Sequence, residues 1–385
     1  MAKAKSLLRV GLMDPVMAAR PTVDTLSRMS YLTAAAGRVD SYWVPDHING
    51  ATPRPLWDPK YTASARLLRS PDAAMEAWTL LGSLAARRRF SRVRLGIGVT
   101  DTGRRNPAVT AQAAATLNLL TRGQAILGIG PGERAGNQPY GVDWSKPVAR
   151  FEEALATIRA LWDSKGQLVN RDSPFFPLRN AIFDLPPYKG KWPEIWVAAH
   201  GPRMLRATGR YGDAWFPGFA HRPKDYADRL DVIRSAASDA GRDPMAITPA
   251  FWMPVFAGHD RDAVDEALDC TVVKNWALNA PAEFYAHYGA QHPMGDGYAG
   301  MQDHVAFTMD EQNIRETAAK VPLSVVKGMV LNGTVDDVVE QAAEWRDHGV
   351  RYIVVINFGP MAPGLRNALA TIGPFNKAVR RLKQL

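Results

Sequence analysis

The chain has 385 residues, 46% hydrophobic and 22% charged, with 47 basic against 38 acidic side chains and a net charge of +9. That is enough apolar material for one large barrel or two average domains, and the basic residues lie in small scattered groups without the aromatic interleaving of a nucleic-acid surface. No uninterrupted apolar run of about 18 residues occurs, which excludes a spanning helix and leaves at most peripheral contact with an anionic membrane.

The N-terminal run MAKAKSLLRVGLMD is basic, broken by Arg9 and without a cleavage site. Together with the single Cys270, which rules out an intrachain disulfide framework, it points to the cytoplasm. Leu8 to Met13 reads as a first strand, followed by a helix from about Thr22 to Ala36 that Gly37 stops. Asp40 to Val44 is a second strand, and Pro45-Asp46-His47 follows its carboxyl end. Residues 52–72 are polar, Pro-rich and aperiodic, the pattern of a long loop. Glu76 to Arg88 is helical.

Val93, Leu95, Ile97 and Val99 alternate as a third, buried strand. Asn106-Pro107 then opens an Ala-rich helix with Asn as cap and Pro in the first turn, and Arg122-Gly123 closes it. Ala125 to Gly130 is the fourth strand, so this stretch is a βαβ unit. Gly128, Gly130 and Gly132 imitate a dinucleotide fingerprint, but Glu133 occupies the third required Gly position and no helix follows at once.

Residues 134–147 form a second long loop, and Val148 to Trp162 an amphipathic helix. Residues 167–183 read as a hairpin-like excursion. Glu194 to Ala199 and Ala214 to Phe216 are strands around a helix from Pro202 to Tyr211. Helices at Tyr226–Ala240 and Asp262–Ala277 flank a strand at Ile247–Phe256, with Cys270 as a packed thiol. Residues 281–321 are irregular, Val335–Asp347 is a helix, Tyr352–Asn357 the last strand, and the remainder is helical. Eight strands alternating with helices, and no sharp composition break, predict a single α/β domain over 1–385, a (β/α)8 TIM barrel with insertions at about 52–72, 134–147, 167–183 and 281–321.

Polar residues just beyond the strands converge on one mouth of such a barrel. Here they are Asp46, His47, Thr100, Asp101, Glu133 and the turn Ala199-His200-Gly201-Pro202. His47 suits proton transfer near neutral pH, and Glu133 on the same rim is a carboxylate to share it. The turn at Gly201 opens a helix whose free N–H groups suit an anion, with Arg203 beside it.

The segments DSYWVPDHIN, LGIGVTDTGRRNPAVTAQAAATL, ILGIGPGERAGNQPYGV and PEIWVAAHGPRMLRATGRYGDAW resemble the bacterial-luciferase-like superfamily, and within it the branch that uses the deazaflavin coenzyme F420. The resemblance covers nearly the whole chain. It implies that Asp46 contacts the deazaflavin, that His47 lies at the reacting carbon, and that Glu133 is its proton-transfer partner. It also implies a cis Gly98–Val99 peptide in a bulge behind the coenzyme, a phosphate site at Ala199, His200 and Gly201, and further cofactor contacts from Thr100, Asp101, Gly130, Gly132, Asn137 and Arg203. No metal is implied.

Small-substrate relatives carry Trp four residues after the His, where this chain has Ala51, so a wide pocket is expected, lined by Ala51, Trp215, Phe219 and Trp252. The resemblance thus implies hydride transfer from reduced F420 to the keto group of a long-chain lipid, such as a phthiodiolone or phenolphthiodiolone dimycocerosate, by a homodimer. The alternatives are an FMN-dependent monooxygenase, an F420-dependent dehydrogenase of another bulky alcohol, and a non-catalytic carrier.

Overall fold

The computed structural model describes residues 7–14, 25–87, 91–218 and 221–385. Its strands are β1 (Arg9–Met13), β2 (Ser41–Val44), β3 (Arg94–Asp101), β4 (Ala125–Gly130), β5 (Val169–Arg171), β6 (Leu178–Ala181), β7 (Glu194–Val197), β8 (Ala214–Trp215), β9 (Thr248–Ala257), β10 (Leu331–Gly333) and β11 (Tyr352–Asn357). β11, β1, β2, β3, β4, β7 and β8 neighbour one another in that order, and pairing of β9 with both β8 and β11 closes the ring. All eight of these strands run parallel. The architecture is the (β/α)8 barrel. β5 and β6 form a separate antiparallel hairpin, and β10 adds to the far end of β9.

Strand periodicity sorts the core into two layers. On β9, Phe251, Met253, Val255 and Ala257 face outward into the layer between barrel and helices. Ala250 and Trp252 face the interior with Met13, Trp43, Trp196, Phe216 and Tyr352. The interior is an aromatic plug: Trp43 lies 5.0 Å from Trp196 and 4.7 Å from Phe216, and Trp196 lies 4.8 Å from Tyr352. Space for these rings comes from glycines on neighbouring strands. A Cβ on Gly96 would stand 2.5 Å from the Trp43 ring, and one on Gly128 would stand 2.1 Å from the Ile97 carbonyl. The plug fills the barrel and leaves only its carboxyl mouth for a ligand.

Local sequence signals explain most element boundaries. Asn106 caps the helix Pro107–Leu120 by accepting from the Ala108 N–H at 2.9 Å, and Arg122 and Gly123 take positive φ to end it. The helix at 25–36 begins at the edge of the described residues, so its expected start at Thr22 lies outside them. Other expectations need correction. The stretch 262–277 is two helices, Arg261–Leu268 and Thr271–Ala277, because the chain turns extended at Cys270. The loop 52–72 holds the short helix Ser64–Leu67, and the irregular stretch 281–321 holds the helices Ala282–Ala286 and Glu311–Ala319. These segments build a second apolar cluster beside the barrel, with Leu56, Phe256, Phe284 and Ile314 among its buried members.

Candidate active site

The mouth begins with Asp46, which follows β2 and is 4% exposed. Its carboxylate accepts from the Thr100 hydroxyl at 2.7 Å and is ion-paired with Arg105. Arg105 also reaches Glu76 at 2.6 Å. Arg104 donates to the Asp46 carbonyl at 2.7 Å and pairs with Asp101. Asp101 in turn accepts from the N–H groups of Gly103 and Arg104 at 3.0 and 2.8 Å, and from the Asn137 amide at 3.2 Å. Burial opposes the charge on Arg104, yet Asp101 and Asp46 outweigh it and hold the guanidinium above its ordinary pKa. Arg104 and Arg105, one of the small basic groups of the sequence, are the clamps of a partly buried charge network.

Glu133 is placed by that network. It follows β4 and starts the short helix Arg134–Asn137, and its carbonyl accepts from the Asn137 amide at 2.9 Å. Gly132 takes φ +91°, and a Cβ there would meet Asn137 at 2.7 Å and Asp101 at 2.9 Å. A side chain at 132 would push apart the groups that seat Glu133. The Glu133 carboxylate lies 3.7 Å from His47 Nδ1, with side-chain exposures of 27% and 42% respectively. That distance is long for a hydrogen bond and close for a shared proton once a ligand draws the groups in. Asn49 ties the two loops together by donating to the Ala135 carbonyl at 2.8 Å.

Behind this corner the Gly98–Val99 peptide is cis, and the β3–β4 register shifts between Ile97 and Thr100. Val99 packs on the interior cluster, and a Cβ on Gly130 would sit 3.3 Å from it. Among the buried polar atoms, Asn137 Oδ1 and Thr102 Oγ1 find no partner.

Across the mouth, Gly201 opens the ten-residue helix Pro202–Tyr211 with no side-chain cap, and a Cβ on Gly201 would meet nothing within 4 Å. His200 stacks on His221 with ring centroids 5.0 Å apart, and its Nδ1 lies 2.9 Å from His221 Nε2. Arg229 contacts His221 Nδ1. A guanidinium only donates, so His221 Nδ1 accepts, its proton sits on Nε2, and that proton is donated to His200 Nδ1. His200 is left offering Nε2–H beside the free helix end. His200 is exposed at the mouth; the protein packed around its ring, then the Arg229 charge, lower its pKa. Burial, then the neighbouring His200 and Arg229, lower that of His221 further.

Three predicted site residues stand elsewhere or beyond description. Trp215 is fully buried in the outer layer, stacked on Tyr226 at 4.3 Å, and donates to the Ala199 carbonyl at 2.9 Å. Strand alternation turns it away from the pocket and turns Phe216 inward. Arg203 is directed to Glu152, away from the Gly201 turn. Phe219 lies outside the described residues. Ala51 does line a pocket with Glu133, Asn279, Met301 and His304, and Trp252 borders the interior cluster near Gly218. Sequence reasoning missed Arg104, Arg105, Asn49, His221, Arg229 and His304. The first two lie three and four residues beyond Asp101, where β3 ends, and that closeness to a strand end is the signal they carried.

Among the described residues no group of side chains is arranged to hold a metal, and no helix is long and apolar enough to cross a membrane. A profile of the luciferase-like monooxygenase family matches residues 18–352. The chain is 62% identical to the phthiodiolone/phenolphthiodiolone dimycocerosates ketoreductase of Mycobacterium sp. (strain JLS), over 98% of this chain and 99% of that one. To the protein of the same name from Mycobacterium tuberculosis (strain ATCC 25618 / H37Rv) it is 56% identical over 98% and 99%. Its fold is similar to that of an F420-dependent secondary alcohol dehydrogenase solved in complex with an F420-acetone adduct, with TM-score 0.71, 19% identity, and coverage of 97% and 99%. The chain belongs to the luciferase-like monooxygenase family.

Proposed function

We propose that this chain is an oxidoreductase that uses coenzyme F420 to reduce the keto group of a long-chain lipid, of the phthiodiolone and phenolphthiodiolone class named in its relatives. The observation that carries the reading is the meeting of His47 and Glu133, 3.7 Å apart, at the mouth of a chain so similar to ketoreductases.

The residues at the mouth fit the coenzyme. The uncapped helix at Gly201, with open space before it and the His200 Nε2–H beside it, suits a phosphate. Val99 and the interior cluster offer an apolar face, and the partnerless Asn137 Oδ1 and Thr102 Oγ1 offer hydrogen-bonding groups below Glu133. When bound, the deazaflavin supplies a hydride from its central ring.

The chain's own residues do the rest. Asp46 is fixed by Thr100, Arg104 and Arg105 and sets the position of His47 after it. The His47–Glu133 pair holds the proton that the substrate oxygen takes as hydride reaches its carbon, so ketone becomes alcohol. Alignment of donor and acceptor to about 3–3.5 Å is the larger part of the work.

The test is oxidation of reduced F420 with a panel of long-chain ketones, beside calorimetry with F420, FMN, NAD and NADP. Turnover of ketones with F420 bound most tightly is expected. Tighter binding of FMN, with oxygen-dependent turnover, would replace this reading by the flavin monooxygenase one.

A further inference from the structure

The pocket that Glu133 shares with Asn49, Ala51, Asn279 and His304 has a volume of about 10 Å³. That is the room of one water molecule and of no part of a substrate. A large side chain at the half-buried Ala51 would overflow it toward the mouth. The wall that carries His304 is fastened to the loop that carries Glu133. Gln302 donates to the Gly132 carbonyl at 3.2 Å, and Arg134 donates to the Gln302 carbonyl at 2.9 Å and pairs with Asp303 at 3.2 Å.

His304 is 5% exposed, and its Nε2 has no hydrogen-bond partner among the described residues. A buried nitrogen of this kind costs stability unless something completes it. Its Nδ1 lies 2.8 Å from the Tyr298 hydroxyl. Burial, then Asp303, raise the pKa of Tyr298, so that hydroxyl keeps its proton, and Nδ1 is the acceptor it meets. Burial, then His292, lower the pKa of His304 to about 4, so the ring is neutral and carries its one proton on Nε2. Acceptors ring the same cavity. The Glu133 carboxylate only accepts. Asn279 and Asn49, 4% and 6% exposed, give their amide nitrogens to the carbonyls of Trp276 at 2.7 Å and Ala135 at 2.8 Å, which leaves their side-chain oxygens for the cavity. One donor and several acceptors around the volume of one water are the partners that a buried water takes.

We infer that one buried water links His304 to Glu133: it accepts from His304 Nε2–H and donates to the Glu133 carboxylate, which makes His304 a positioning residue for the proton-transfer pair. Glu133 turns Oε2 toward His47 Nδ1 at 3.7 Å. With its other oxygen tied to the water, the carboxylate is kept from rotating out of that alignment. The inference rests on the ketone-reductase reading of the mouth, and adds that the proton partner is held from behind by the insertion 281–321.

The experiment has two arms. The first is NMR of the coenzyme-free protein with 15N-labelled histidine rings, the His304 signals being those lost in His304→Gln. His304 is expected as the neutral ring with its proton on Nε2. Its Nε2 resonance should move in Glu133→Ala and move less in Glu133→Gln, which keeps an acceptor for the water. A proton on Nδ1, no response to either variant, or equal displacement in both overturns the link. The second arm is kinetic. His304→Phe should lower kcat about tenfold, the scale of one hydrogen bond, with ketone KM and F420 affinity within about twofold. His304→Gln should restore most of it. Tyr298→Phe, which removes the hydroxyl that fixes the His304 proton, should lower kcat in part and serves where His304→Phe fails to fold. Wild-type kcat in both His304→Phe and Tyr298→Phe, or a loss that His304→Gln does not restore, also overturns the assignment. Wild type whose His304 resonance answers to Glu133 yet which reduces no ketone with F420 refutes the reductase reading and leaves the link standing.

Discussion

The two sides of the barrel mouth are built on opposite plans. On the side of β2, β3 and β4, the carboxylates of Asp46, Asp101 and Glu76 are matched by Arg104 and Arg105, and the network closes on itself. On the side of β7 and β8, the chain from Arg229 through His221 ends at His200 with a donor that no atom of the described residues takes up. A closed network fixes position, because each of its charges already has its counter-charge. An open one offers affinity, because a ligand completes it. His47 and Glu133 sit on the rim of the closed side, 3.7 Å apart and partly open to solvent.

Five substitutions and one titration probe that contrast. The largest effect is expected at the rim: Glu133→Gln or His47→Ala should slow turnover roughly 10²–10⁴-fold with coenzyme affinity and melting temperature nearly unchanged. Full activity in both variants would remove the pair from the reaction.

Asp46→Ala opens the closed side. It leaves Arg105 and Arg104 short of a buried partner, so about 3 kcal/mol of stability should be lost, with weaker coenzyme binding as the corner shifts. Chemical denaturation measures the first and calorimetry the second; an unchanged midpoint would mean the network is not what holds the corner.

His221→Leu interrupts the open side. F420 affinity should fall about tenfold, the scale of one charge-assisted hydrogen bond, whereas a deazaflavin without the phosphate should bind as before. Equal loss toward both ligands would assign His221 to packing alone.

Ala51→Trp fills the pocket next to Glu133. Long-chain ketones should lose several-fold more kcat/KM than short ones, since the long chain binds by burying apolar surface at roughly 25 cal/mol per Å² before ordering costs. Equal loss with a lowered Tm would show that Ala51 merely packs.

The smallest effect is on stability against pH. His304 has a folded pKa of about 4, below the ordinary value near 6.5 for a free histidine. Between these values the unfolded chain binds a proton that the fold refuses, so stability falls as pH drops through that window. His304→Phe should flatten the fall seen by denaturation at pH 7, 5.5 and 4.5.

Much of the barrel was legible because each strand is short, apolar and bounded by Gly or a polar turn. The Asn106-Pro107 start and the Arg122-Gly123 stop lie where capping chemistry puts them. The rim was legible too, since strand ends bring Asp46, His47 and Glu133 to one face whatever the details. What failed was direction. Composition marks Trp215 as a bulky apolar residue but does not say which side of a two-residue strand it occupies. Arg203 has a helix end beside it and a carboxylate on another helix, and only tertiary packing decides between them. The pairings of Arg105 with Glu76 and of His200 with His221 join residues 29 and 21 positions apart. His304 arrives from an insertion with no periodicity at all, and nothing local announces it.

The glycines of β4 carry a wider consequence. Gly128 faces the Ile97 carbonyl so closely that no side chain fits, and Gly132 needs a left-handed backbone to seat the residue after it. The first demand comes from how the barrel wall closes, the second from the Asp101–Asn137 network at its mouth. Any sequence that adopts this wall must leave the gap at 128, so that glycine is a mark of architecture that can persist while the catalysis above it changes, whereas the glycine at 132 goes with the carboxylate it seats. A search for proteins of like activity should therefore give Gly128 little weight and look to what stands at positions 47, 51, 132 and 133.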